Sequence, residues 1–204
     1  AVKQLGGKAS FDVFAYRAIG LAPEQRAAIL AAITGMLDRH PGDEQLLFSR
    51  AVLLEQSSQL PEALAIAEEL LTISEKPNVI VLKARILNAM QREDDAIAYL
   101  TAIVTVPQPD RRLQLLLARM LFEEGDLEAA KVQYDSALNV SPNDGDVLFA
   151  LALIALEQGD DLQAQEHLER MVRWNRRSGE AHYYLGGIAE RRSDTTAALQ
   201  EYGQ

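Results

Sequence analysis

The side chains best able to do chemistry in this chain are three histidines, His40, His167 and His182, and adjacent carboxylates such as Glu123-Glu124 and Asp160-Asp161. Imidazoles and carboxylates hold metals or move protons only where they converge. The histidines fall in three separate segments with no ligand spacing between them. His40 stands near a helix end beside Pro41, where a cationic side chain suits the dipole. His167 is expected on the outer face of its helix, and His182 at a packing position. Neighbouring residues on a helix do not share a face, so the acidic pairs read as caps and solvated surface. No Ser/His/Asp set, phosphate-binding glycine loop or nucleophile elbow occurs. With no cysteine there is no thiol chemistry and no disulfide, and the redox compartment stays open. The expectation is a protein with no catalytic residue, no metal and no cofactor.

One basic run stands out: Arg170, Arg173, Arg176 and Arg177 around Trp174. Arg170, Arg173 and Arg177 share a helix face. They read either as a docking site for an acidic partner or as arginines that finish a helix, with Trp174 packed on the next segment. The acidic surroundings favour the second reading. Thirty acidic against twenty basic residues leave a net charge of −10, which makes nucleic acid a poor partner. No apolar run approaches the roughly 18 residues that a membrane helix needs. No secretory leader is visible, and because the chain opens on Ala1 this carries no weight.

The elements that must position these groups show themselves through small residues. Ala51, Ala84, Ala118, Ala152 and Gly186 recur at 34-residue steps with one step of 33, and Ala63, Ala96, Ala130, Ala164 and Ala198 follow twelve residues behind. Two phased series at that period indicate an array of helix pairs. Numbering each unit from one puts the small residues at places eight and twenty. The units are 44–76, 77–110, 111–144, 145–178 and 179–204, the last cut off inside its second helix. Each first helix spans about 14 residues, and second helices start near 61, 94, 127, 161 and 195. Place fifteen, between them, reads Ser58, Gln91, Gly125, Gly159 and Ser193; a glycine there suits a left-handed residue that closes a helix. Asp126 and Asp160 follow as N-caps, and Pro61 sits in a first turn. Pro41, Pro107, Pro109 and Pro142 keep one pair from fusing with the next. Places eight and twenty are where the paired helices cross, so a side chain beyond a methyl would cost about 1–3 kcal/mol. Residues 1–43 read as an irregular pair: Ser10 caps a helix to about Ile19, and Glu24–His40 forms the second, with Arg17 and Ile29 in the small places.

This pattern resembles the tetratricopeptide repeat family. Unit 111–144 carries it best through Leu117-Ala118, Leu121, Gly125, Ala130, Tyr134, Ala137 and Pro142, and unit 179–204 adds Tyr184-Leu185-Gly186 and Ala198 with Tyr202. The resemblance implies an all-α, right-handed superhelical solenoid of antiparallel helix pairs over residues 44–204. Two departures matter. Place seven, normally a large apolar residue, is Arg50 and Lys83 in the first two units. Place four, often Trp, reads Leu47, Ile80, Gln114, Leu148 and His182. The early units are expected to be looser.

In this family the first helices line the inner face through places two, five, nine and twelve. Place five reads Phe48, Val81, Leu115, Phe149 and Tyr183; place nine includes Arg85 and Arg119; place twelve includes Phe122. These residues are the candidate partner-binding set, an apolar groove with a few charges that suits an extended or helical peptide. The competing reading wedges the place-five side chains into the core between helices. The set lacks the Lys/Asn pattern with which chaperone-docking relatives hold a C-terminal carboxylate. The implied function is a non-enzymatic scaffold or adaptor that binds a protein or peptide, with a structural spacer or self-associating module as the alternative.

Runs such as 121–130 and 174–186 are also similar to the repeats of bacterial outer-membrane tetratricopeptide lipoproteins, among them partners of periplasmic C-terminal processing proteases. That similarity implies an adaptor on the periplasmic side of the outer membrane. It would gather the serine protease and its peptidoglycan hydrolase substrates, as part of a longer superhelix anchored by a lipid-bearing Cys that this sequence does not contain.

Overall fold

A computed structural model describes residues 22–106, 109–175 and 178–203. The expected helix over residues 10–19, the Gly20-Leu21 turn, Arg17, Pro107, Arg176 and Arg177 lie outside the described residues. Among the described residues the fold is all-helical, with no strand. The helices are α1 Pro23–Leu37, α2 Glu44–Gln56, α3 Leu60–Ile73, α4 Pro77–Ala89, α5 Glu93–Val104, α6 Arg111–Glu123, α7 Leu127–Val140, α8 Gly145–Glu157, α9 Asp161–Trp174, α10 Gly179–Arg191 and α11 Thr195–Tyr202. They form two compact units, one up to Leu113 and one from Gln114 onward, and the division falls inside α6. The sequence reading placed its boundary at residue 43 instead. Across residue 43, α1 packs on α2 and supplies Ile33 and Leu37 to the same core as Leu47, Phe48 and Ala51.

Within the first unit each helix from α1 to α4 packs on the one that follows it; in the second, each from α7 to α10 does the same. The small residues sit where the packing is tightest. Every alanine at places eight and twenty is between 0 and 3% exposed, and Gly186 is buried. A methyl on Gly186 would stand 2.4 Å from the Tyr202 ring.

One turn geometry closes all five hairpins. Ser58, Gln91, Gly125, Gly159 and Ser193 each have a positive φ, between 57° and 85°. The residue after each donates its N–H back to the helix: Gln59 to Leu54, Arg92 to Leu87, Asp126 to Leu121, Asp160 to Ala155 and Asp194 to Ala189, at 2.8–3.0 Å. This six-to-one bond satisfies a carbonyl that the helix end would otherwise leave open. In the second unit Asp126, Asp160 and Asp194 then accept an N–H of the next helix on their side chains. Gln59 and Arg92 make no such bond.

Of the departures at places four and seven, Gln114 and Lys83 find partners, while the buried Nε of Arg50 has none among the described residues. Buried Gln114 donates to Ser136 Oγ at 2.7 Å. Lys83 reaches Glu68 at 3.1 Å, and its ammonium lies 4.7 Å from the centre of the Tyr99 ring. Burial first, then the Glu75 and Glu68 carboxylates, push the Tyr99 phenol up to about 12.

Candidate protein-binding surface

In the first unit the face expected to hold a partner is largely used up by the fold. Phe48 is only 4% exposed and belongs to the core, so its assignment to a binding face is corrected. The physical reason is α1, whose Ile33 and Leu37 join the cluster containing Phe48. Val81 is half-buried. Arg85 is exposed, but its Nη2 lies 2.8 Å from both carboxylate oxygens of Glu55, one helix pair earlier. Burial raises the Glu55 carboxyl above its usual range, and Arg85 pulls it part of the way back. Arg85 therefore clamps two first helices together, a role that sequence spacing did not reveal.

The second unit differs. Leu115, Phe122 and Phe149 are half-buried, and Arg119 is exposed with its Nε 3.7 Å from Glu123. Tyr183, at place five of α10, is 65% exposed. Around it runs a chain of rings. Phe149 meets Tyr184 edge-on at 5.5 Å, Tyr184 meets Tyr183 edge-on at 5.5 Å, and Tyr183 lies 6.1 Å from Tyr202. Such pairs favour edge-to-face geometry and hold one another in place. Helical spacing puts Asp146, Phe149, Leu153 and Leu156 on one face of α8, and Glu180, Tyr183, Gly187 and Glu190 on one face of α10. Asp146, Glu180 and Glu190 are exposed. The sequence reading took Tyr184 and Tyr202 as repeat-motif residues and left them and these carboxylates out of the binding set. The carboxylates were nonetheless in view, as places two and twelve of the same face.

The histidines do not meet. His40 is exposed. His167 is half-buried and not on an open outer face. Burial lowers its pKa, chiefly offset by Glu166, and its buried Nδ1 has no hydrogen-bond partner among the described residues. His182 is buried with Nδ1 2.7 Å from Glu201. Among the described residues no group of three or more His, Asp or Glu could hold a metal. Trp174 is 69% exposed and not covered by a following helix, and Arg170 donates to the Pro142 carbonyl. Trp174 stands at place thirty, where Ile73, Val106 and Val140 are exposed as well.

The sequence matches the tetratricopeptide repeat family over residues 81–138 and 121–188, together more than half of the chain. This chain belongs to the tetratricopeptide repeat family. It is 34% identical over 198 residues to the TPR repeat-containing protein PA4667 of Pseudomonas aeruginosa. That alignment takes in 97% of this chain and 34% of the relative, so the chain spans about a third of the relative's length. Among solved structures it is similar to PilW, described as a widely conserved type IV pilus biogenesis factor, with TM-score 0.66 and 16% identity over 96% of this chain and 91% of that one. It is also similar to YrrB, described as a TPR protein with an unusual peptide-binding site, with TM-score 0.63 and 16% identity over 83% and 88%. At such identities the likeness shows the fold alone. Tetratricopeptide repeat proteins are protein-interaction scaffolds and generally non-catalytic. No helix among the described residues is long and apolar enough to cross a membrane.

Proposed function

We propose that this chain is a binding scaffold that holds a protein segment on the aromatic face of α8 and α10. The observation that carries the reading is Tyr183: a large ring, two-thirds exposed, braced by Tyr184 and Tyr202 rather than sunk in the core. Interfaces concentrate their energy in a few such rigid aromatic anchors. In the whole protein the scaffold would act as an adaptor on the periplasmic side of the outer membrane. It would bring a C-terminal processing protease to its peptidoglycan hydrolase substrates. What supports this finer role is the likeness of residues 121–130 and 174–186 to the repeats of lipoproteins that partner such proteases. The test is affinity capture from a periplasmic extract, read by mass spectrometry. A protease or hydrolase should be retained by the native chain and lost on Tyr183→Ala, with the thermal midpoint unchanged. Retention by the variant equal to that of the native chain rejects the aromatic face.

The second reading, an assembly module, draws on place thirty. In the first unit Ile73 and Val106, and in the second Val140 and Trp174, leave apolar side chains in water at the ends of second helices. If assembly is the function, purified chain gains mass with concentration and Trp174→Glu abolishes the gain.

A further inference from the structure

The charge of this protein is unevenly divided. From Gln114 onward there are sixteen acidic and eight basic residues, against fourteen and twelve before it. The second unit thus carries most of the net negative charge, and it is also the unit that displays aromatic rings.

Several cations of that unit are already engaged. Arg191 makes two bonds to Asp161 at 2.6 and 3.1 Å, Arg192 reaches Gln165 at 2.6 Å, Lys131 reaches Gln163 at 2.7 Å, and Arg170 is bonded to the Pro142 carbonyl. On the aromatic face the carboxylates of Asp146 and Glu180 make no ion pair among the described residues. Glu190 accepts the hydroxyl of Tyr202, whose pKa is raised first by lost hydration and then by that carboxylate. Glu180 and Glu190 lie about 15 Å apart along the α10 axis, at 1.5 Å per residue. Tyr183 and Gly187 stand between them. A methyl on Gly187 would meet only the Tyr202 hydroxyl and an Arg191 nitrogen, each 4.0 Å away.

We infer that this face takes a cationic peptide segment, with an arginine or lysine laid over the exposed Tyr183 ring and its charge answered by Glu180 and Glu190. The inference rests on the aromatic face being the binding surface, and it adds the chemistry of the partner. An exposed phenol ring attracts a cation to its face, and carboxylates at both ends of the ring's helix supply the counter-charge. The nearest fixed cation, Arg191, has one guanidinium nitrogen 4.0 Å from the methyl position on Gly187 and turns its other two nitrogens to Asp161, which balances its charge. An uncharged apolar segment would bury the ring and leave the carboxylates unanswered. An acidic segment would be repelled by them.

The test uses the intact chain and two labelled peptides that differ in one residue, an arginine flanked by leucines and its neutral isostere citrulline, followed by fluorescence anisotropy. The arginine peptide should bind at least tenfold more tightly. Tyr183→Leu should bring it down to the citrulline level, whereas Tyr183→Phe, which keeps the ring, should preserve the preference. Glu180→Gln with Glu190→Gln should erase the preference and leave citrulline binding as it was. Asp135→Asn with Glu166→Gln, on second helices, should have no comparable effect. Equal affinity for the two peptides overturns the inference, as does an equal loss in the Asp135/Glu166 variant, and so does failure of both peptides to bind. If both bind equally and Tyr183→Ala weakens both, the binding face stands and only its preference for cations falls. If Tyr183→Ala weakens neither, both ideas fall.

Discussion

In the first unit the hairpins turn through Ser58-Gln59 and Gln91-Arg92; in the second they turn through Gly125-Asp126, Gly159-Asp160 and Ser193-Asp194, so that an aspartate cap follows every turn there. The backbone is the same in all five, with a positive φ and a six-to-one bond of 2.8–3.0 Å. Place seven separates the units in the same way. It is Arg50 and half-buried Lys83 in the first, and buried Leu117, Leu151 and Leu185 in the second. The comparison teaches that the hairpin is imposed by the small residues where helices cross, which are the same in both units. Turn and cap chemistry then adjusts how much stability each hairpin has. In the first unit Lys83 is tolerated through Glu68 and Tyr99, whereas half-buried Arg50 keeps a buried Nε with no hydrogen-bond partner among the described residues.

Exchanging the place-seven residues gives the largest expected effect. Leu151→Lys puts a charge into the α8 core with no counterpart to the Glu68 and Tyr99 that receive Lys83, and should cost about 3–5 kcal/mol in urea unfolding. Lys83→Leu should be close to neutral, because Glu68 is left in water. A large loss on Lys83→Leu would mean that the first unit depends on its polar contacts instead of tolerating them.

Place five supplies the next contrast. Phe48→Ala should cost about 3–5 kcal/mol, as expected for an aromatic side chain removed from a core. Tyr183→Ala should change stability by no more than about 0.5 kcal/mol, as at an ordinary surface site. Denaturant titration of both variants checks the pair, and similar losses would make Tyr183 a core residue.

At the turns, Gly159→Ala forces a methyl into left-handed backbone and should lose about 1–2 kcal/mol. Asp160→Ala should lose about 1 kcal/mol with its cap. Gln91→Gly relieves the same strain and should gain about 0.5–1 kcal/mol after the entropy of the freer unfolded chain is charged against it. Thermal midpoints read all three, and a loss on Gln91→Gly would show that its side chain supports the turn.

The smallest effect is in pH dependence. Both units tie helix pairs together with an arginine thirty residues from its carboxylate, yet the two carboxylates shift in opposite directions. Burial raises Glu55, so its contribution is full below the ordinary value of 4.5 and fades as pH climbs through the raised one. The bond from Arg191 lowers Asp161, so its contribution is present above the ordinary 3.8 and disappears as pH drops through the lowered value. Glu55→Gln should therefore gain on the native chain as pH rises from about 4 to 7. Asp161→Asn should lose on it as pH rises through the acid range up to about 4 and then run parallel to it, each difference staying below about 1 kcal/mol. Thermal midpoints that shift in parallel for the two variants across both ranges would remove the distinction.

Much of the fold was legible because its determinants are local. A small residue at each crossing and a left-handed residue at each turn recur at one period, and period survives in sequence. The site was legible only in part. That Tyr183 faces water and Phe48 does not depends on α1, which carries no repeat signature and covers one end of the first unit's core. Arg85 looked like a groove charge because nothing in its own helix announces Glu55 thirty residues earlier. Trp174 was expected to be covered, but the place-thirty side chains Ile73, Val106, Val140 and Trp174 all stay exposed, because the reach of the neighbouring pair is set by packing and not by spacing.

The bonds that join successive pairs, Arg85 to Glu55, Lys131 to Gln163, Gln158 to Glu128 and Arg191 to Asp161, reach only 30 to 32 residues along the chain. A nascent hairpin needs only the one made just before it in order to dock. Synthesis can thus complete the protein stepwise from its N-terminal side, with each finished hairpin serving as the template for the next.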